Sequence, residues 1–97
     1  MNIAIIGAGN VGRALATSAL RAGHSVTVSS SSGDSAATVA RETGATAAAS
    51  NREAVEGAEL VVIAVPYMAI VDVLDEIGPE LAGKIVVDAT NLSLIHI

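Results

Sequence analysis

Ninety-seven residues suffice for one domain, and with a single aromatic, Tyr67, its core has to be built from Ala, Val, Ile and Leu. The formal charge is −5, and the five basic residues, Arg13, Arg21, Arg41, Arg52 and Lys84, are scattered, so no patch can neutralise a row of nucleic-acid phosphates and no nucleic-acid partner is expected. The absence of cysteine excludes disulfides, thiolate metal sites and a Cys nucleophile, and His24 and His96 lack ligand-like spacing, so no metal site is expected.

Met1-Asn2 leads straight into an apolar strand with no basic leader segment, which argues against a secretory signal. The longest purely apolar run, Leu60 to Val65, falls far short of the ~20 residues of a membrane span. The reading is of a soluble, cytoplasmic protein without membrane partners.

The chain opens on the apolar strand Ile3-Ala4-Ile5-Ile6, then Gly7-Ala8-Gly9-Asn10-Val11-Gly12, then an Ala/Leu-rich helical segment from Arg13 to Ala22. A bare GxGxxG is weak evidence in a chain with nine glycines, but this one has a strand before it and a helix after it. Gly7 allows a tight turn, Gly9 lacks the Cβ that would keep a pyrophosphate from the backbone, and Gly12 allows close packing of helix on strand. The unpaired N–H groups around Asn10 to Gly12, aided by the helix dipole, would then point at phosphates, forming a dinucleotide cradle. The alternative, a strand-to-helix turn that binds nothing, is disfavoured by the flanking pattern. Spacing along the helix places Val11, Ala14, Leu15, Ser18 and Ala22 on its inner face, and Gly23 ends it.

Ser25 to Ser29 is β-branched and short, as a second parallel strand should be, and His24 before it reads as a solvated helix-end residue. The loop Ser29-Ser30-Ser31-Ser32-Gly33 follows, then Asp34 or Ser35 as the N-cap of a helix through Ala36 to Glu42 that Gly44 closes. The end of the second strand is where an adenosine ribose lies in a dinucleotide fold, and an NAD-specific protein presents an acid there to the 2′-hydroxyl. Here no acid precedes Asp34, while the hydroxyls and loop N–H groups can donate to a 2′-phosphate, so the loop tilts the cofactor toward NADP although no Arg or Lys accompanies the serines.

A weak third strand, Ala45 to Ala49, leads to the capping-box pattern Ser50-Asn51-Arg52-Glu53 and a short helix. Leu60 to Val65 reads as a central strand buried on both faces. Pro66 ends it, and Tyr67 to Ile77 is predicted as a helix with Ile70, Val73, Leu74 and Ile77 toward the sheet and Val71 left over for an interface. Ile85 to Asp88 forms the fifth strand, ending in Ala89-Thr90-Asn91. Strands alternating with helices predict an α/β fold, a Rossmann-like open, doubly wound parallel sheet of order 3-2-1-4-5 in three layers, with right-handed crossovers.

Ligands in such sheets bind at the carboxyl ends of the strands where the order reverses, here between strands one and four, so Gly7–Gly12 and Ala64-Val65-Pro66-Tyr67 are expected to converge. Tyr67 either stacks near a nicotinamide or packs on its own helix. Thr90 and Asn91 either hydrogen-bond cofactor or substrate or cap the strand end, and Asp88 is read as a structural acid. No catalytic residue is identified.

Taken together, the cradle, the serine loop, Ala64-Val65-Pro66-Tyr67 and Asp88-Ala89-Thr90-Asn91 resemble the nucleotide-binding half of the NADP-dependent deazaflavin reductases, the coenzyme F(420)-dependent NADP oxidoreductases, over residues 1–91. The resemblance implies hydride transfer between NADP(H) and a second small redox substrate, a deazaflavin, in a full-length parent expected as a homodimer. It also implies that Ala64 to Tyr67 lie along the nicotinamide ribose and that Ser29, Ser30 and Ser31 hold the 2′-phosphate. The sequence departs from the family pattern in lacking an arginine in the serine loop and in carrying Leu92 where a proline is usual. Two other readings stay open: a non-catalytic NAD(P)-sensing module, and the nucleotide-binding half of another two-domain dehydrogenase acting on alcohols or imines. Finally, Leu92-Ser93-Leu94-Ile95-His96-Ile97 can be back-translated into codons similar to a transposase mosaic-end adapter, so residues 92–97 are expected to be a non-native tail on the N-terminal fragment of a longer reductase.

Overall fold

Short apolar or β-branched runs become the principal strands, and helices fill the segments between them. The computed structural model describes residues 1–30, 33–65 and 67–89. In order, these form β1 (Asn2–Ile6), α1 (Asn10–Arg21), β2 (Ser25–Ser29), α2 (Gly33–Thr43), β3 (Thr46–Ala47), α3 (Asn51–Glu56), β4 (Leu60–Ile63), α4 (Ile70–Ile77) and β5 (Ile85–Asp88). Single 3₁₀ turns, Tyr67–Ala69 and Gly78–Leu81, precede and follow α4. The sheet is parallel throughout, with order β3-β2-β1-β4-β5 as expected. Register places Ile5 between Val28 and Val62, and Ile6 between Ser29 and Ile63.

Because side chains alternate along a strand, the central strands feed two cores. On one face Ile3, Ile5, Val26, Val28 and Val62 pack with Ala16 of α1 and with Ala36 and Val39 of α2. On the other, Ala4, Ile6, Val61 and Ile63 meet Ala54 and Val55 of α3 and Val73 and Ile77 of α4. Strand β1 is thus buried on both sides, which is why its apolar run is continuous. Strand β5 is different: Ile85 is 60% and Val87 46% exposed. They pair with Leu60 and Val62, so they lie on the sheet face carrying α1 and α2, beyond the reach of either helix.

Several expectations change. The inner face of α1 is Gly12, Leu15, Ala16, Ala19 and Leu20, whereas Val11, Ala14, Ser18 and Ala22 are exposed; only Leu15 was placed correctly. Alanine on every side of the helix gives periodicity little to discriminate, and the rotation is set by Gly12, which must meet the glycine turn. Leu74 is 40% exposed, leaving Ile70, Val73 and Ile77 to hold α4. β3 is two residues long, both exposed, because it is an edge strand paired only with Thr27 and Val28. Helix α2 starts at Gly33, so Asp34 and Ser35 lie within its first turn. The capping expectation at α3 holds on its Ser side: Ser50 Oγ accepts from the Glu53 N–H at 3.1 Å. The reading of residues 92–97 as a tail lies outside the described residues.

Candidate functional site

The turn between β1 and α1 has two glycines that the protein itself requires. Gly7 sits at φ +116°, a conformation that L side chains rarely adopt, and a Cβ there would collide with the Ala64 carbonyl. A Cβ on Gly12 would run into the Gly7 carbonyl, with Ile5 Cγ2 a further 3.5 Å neighbour. Gly9 is unlike both. Its backbone is extended, φ −84° and ψ −163°, and nothing lies within 4 Å of the point where a Cβ would stand. Any residue would fit it as far as the folded chain is concerned.

Gly9 is also the N-cap of α1, and it offers no side chain to the first turn, which holds no acid. The helical ladder begins with the Arg13 N–H bonding back to the Gly9 carbonyl at 2.9 Å, so the N–H groups of Asn10, Val11 and Gly12 precede it and face the open end. Asn10 and Val11 are exposed and Ala8 is half-buried. Uncapped N–H groups, the positive end of the helix dipole and open space above Gly9 together suit an anion.

The cradle is stitched to its neighbours on both sides. The Gly7 N–H donates to the Ser29 carbonyl at 2.7 Å, and the Ala64 N–H donates to the Ile6 carbonyl at 2.8 Å. A Cβ at Gly7 would stand 3.2 Å from the Val65 nitrogen, so Ala64 and Val65, both half-buried, converge on the turn as the order reversal between β1 and β4 requires. The Ala89 N–H donates to the Ile63 carbonyl at 2.9 Å and brings the end of β5 to the same edge. Ser31, Pro66, Thr90 and Asn91 lie outside the described residues, and Tyr67 opens the 3₁₀ turn after β4.

One predicted contact is corrected. Ser29 is fully buried, and its hydroxyl donates to Asn51 Oδ1 at 2.6 Å instead of being offered to a phosphate. The Asn51 amide donates in turn to Glu76 Oε1 at 2.9 Å. The neighbouring Arg52 donates to the Glu76 carbonyl at 3.2 Å and pairs with Glu80 at 3.2 Å. Sequence reading missed Asn51 because its partners lie 22 and 25 residues away. Its one visible signal was a place beside the Ser50 cap. Among the described residues no group of His, Cys, Asp or Glu is placed to hold a metal ion, and no helix is long and apolar enough to cross a membrane.

A parallel sheet of this order, with a glycine turn and an uncapped helix N-terminus at its reversal point, defines a Rossmann-like dinucleotide-binding domain. Residues 2–92 match the model of the NADP oxidoreductase, coenzyme F420-dependent family, and the chain belongs to that family. Among solved structures it is similar to a Streptomyces aurantiacus imine reductase (29% identity, TM-score 0.78), covering 91% of this chain and 31% of that one. A Myxococcus stipitatus imine reductase in complex with NADP+ is 31% identical with a TM-score of 0.79, over 91% of this chain and 31% of its own. An Arthrobacter sp. FB24 protein assigned as an F420-dependent NADP reductase is 32% identical with a TM-score of 0.78, over 91% of this chain and 44% of its own. The chain therefore spans about a third of the length of the imine reductases it matches. No curated protein sequence matches it.

Proposed function

We propose that this chain is the NADP-binding part of an oxidoreductase that moves hydride between NADP(H) and a second redox molecule, a deazaflavin. The observation that carries the reading is Gly9: its glycine has no reason inside the protein, and the space its missing Cβ leaves lies over the uncapped start of α1. A pyrophosphate brought there meets the N–H groups of Asn10, Val11 and Gly12 with no side chain between. The family match and the NADP+ complex of the Myxococcus enzyme support the choice of nucleotide.

Within that reading, Gly7 and Gly12 shape the turn, and the loop from Ser30 onward, with Ser31, receives the adenosine 2′-phosphate. Ala64, Val65, Pro66 and Tyr67, with Thr90 and Asn91, line the nicotinamide end. The nicotinamide supplies the hydride when bound, and this chain's residues supply binding and orientation. One nucleotide-binding wall does not enclose a donor and an acceptor away from water, so the chain alone binds and does not turn over. The imine reductases favour a second reading, in which the acceptor is an imine.

Two measurements test this. Calorimetry on the 97-residue chain should show NADP binding more tightly than NAD; no NADP binding would overturn the reading. A longer parent protein, given NADPH and either a deazaflavin or a cyclic imine, should lose absorbance at the nicotinamide band only with the deazaflavin. Turnover with the imine alone would give the second reading.

A further inference from the structure

The two edges of the sheet are finished differently. At one edge β3 is two residues long, too short a row of backbone groups to take on another strand. At the other, β5 is the last strand among the described residues, and its consecutive apolar residues Ile85, Val86 and Val87 are all exposed. It carries neither the proline nor the bulge that commonly protects an edge. Its pairing with β4 fixes which way its backbone groups point. The Ile85 N–H donates to the Glu59 carbonyl at 3.1 Å and the Ala89 N–H to the Ile63 carbonyl at 2.9 Å. Directions alternate along a strand, so the backbone N–H and C=O groups of Val86 and Asp88 point away from the sheet.

We infer that β5 is the docking edge for a second copy of this chain, whose own β5 pairs with it antiparallel about a two-fold axis at Val86. That register is self-complementary. Each Val86 N–H donates to the carbonyl of the partner's Val86, and each Asp88 N–H to the carbonyl of the partner's Lys84, so the outward-pointing groups are used. Ile85 lies across from the partner's Val87, and the apolar side chains exposed on the α1 face cover one another, while Val86 meets the partner's Val86 on the other face. Charge selects the same register. The residue across from Lys84, which is anchored on the Ala58 carbonyl at 2.6 Å, is the partner's acidic Asp88, and no like charges meet. Centring the pair on Asp88 would set two acids against each other, and centring it on Val87 would set each acid against an apolar residue of the other copy. Each copy offers only the four residues of β5, so the association is weak and depends on concentration.

Sedimentation equilibrium of the 97-residue chain should show a mass that rises from 9.6 kDa toward twice that value between about 10 μM and about 1 mM. Amide hydrogen exchange reads the contact itself. Protection of the Val86 N–H should increase at least about fivefold over that range, while that of Val87, which faces β4, changes less than about twofold. Val86→Pro removes the outward N–H, leaves the bonds to β4 in place, and should stay monomeric at about 1 mM. Val86→Lys sets like charges across the axis and should do the same, which decides the question if the proline variant does not fold. A chain that sediments at 9.6 kDa throughout, or a dimer that survives the substitution, would overturn the inference. Species that grow beyond two copies would overturn it too, because an isologous pair closes on itself. Protection of Val86 that does not vary with concentration would assign the edge to another part of the same chain, and would equally overturn it.

Discussion

Strands β1 and β5 are made of the same kinds of residue, yet one is sealed and the other is not. Ile3 to Ile6 are at most 7% exposed, while Ile85, Val86 and Val87 are 60, 41 and 46% exposed. Composition does not make this difference; the crossovers do. Helices α1 and α2, between β1 and β3, lie over one half of one face, and α3 and α4, between β3 and β5, lie over the other face. Among the described elements no helix covers Ile85 and Val87 on the α1 side of β5, and Val86, on the other face, lies at the sheet edge outside the core formed with α3 and α4. The proposed nucleotide site lies on the sealed side of this divide, at the ends of β1, β2 and β4, where packing on both faces can hold a turn rigid.

The comparison can be broken by matched truncations. Ile5→Ala, at a fully buried site with a core on its face, should cost about 2–5 kcal/mol in urea unfolding. Ile85→Ala, the same change on β5, should cost less than about 1 kcal/mol, because most of that side chain is already in water. Equal losses would mean that β5 is covered in solution. Smaller still is Arg13→Ala: its guanidinium pairs with Glu42 at 3.3 Å with both side chains over two-fifths exposed. A change of more than about 0.5 kcal/mol would show that the pair is stronger than its exposure allows.

The same divide explains what could be read in the sequence. Strand order and the convergence of Gly7 with Ala64 were legible, because glycines punctuate the chain and because the preference for one hand of crossover leaves few topologies. Local chemistry was legible too, as at the Ser50 cap of α3. What was not legible depended on distant partners or on uniform composition. The inner face of α1 follows from Gly12 meeting Gly7, not from a periodicity that its alanines blur. Ser29 belongs to a serine run that reads as loop, yet its hydroxyl is claimed by Asn51 across 22 residues of sequence. The fate of β5 depends on what packs against it, which its own residues do not state.

The central claim is that Gly9 is a glycine for the sake of a ligand and Gly7 for the sake of the fold. Gly9→Val and Gly7→Val therefore have to be measured side by side, by thermal unfolding and by NADP calorimetry. Gly9→Val should melt with the wild type, since its new side chain enters open space, and should show no measurable NADP binding. Gly7→Val should lower the melting temperature, through a strained positive φ and a collision with the Ala64 carbonyl. A folded Gly9→Val chain that binds NADP with wild-type affinity would contradict the account.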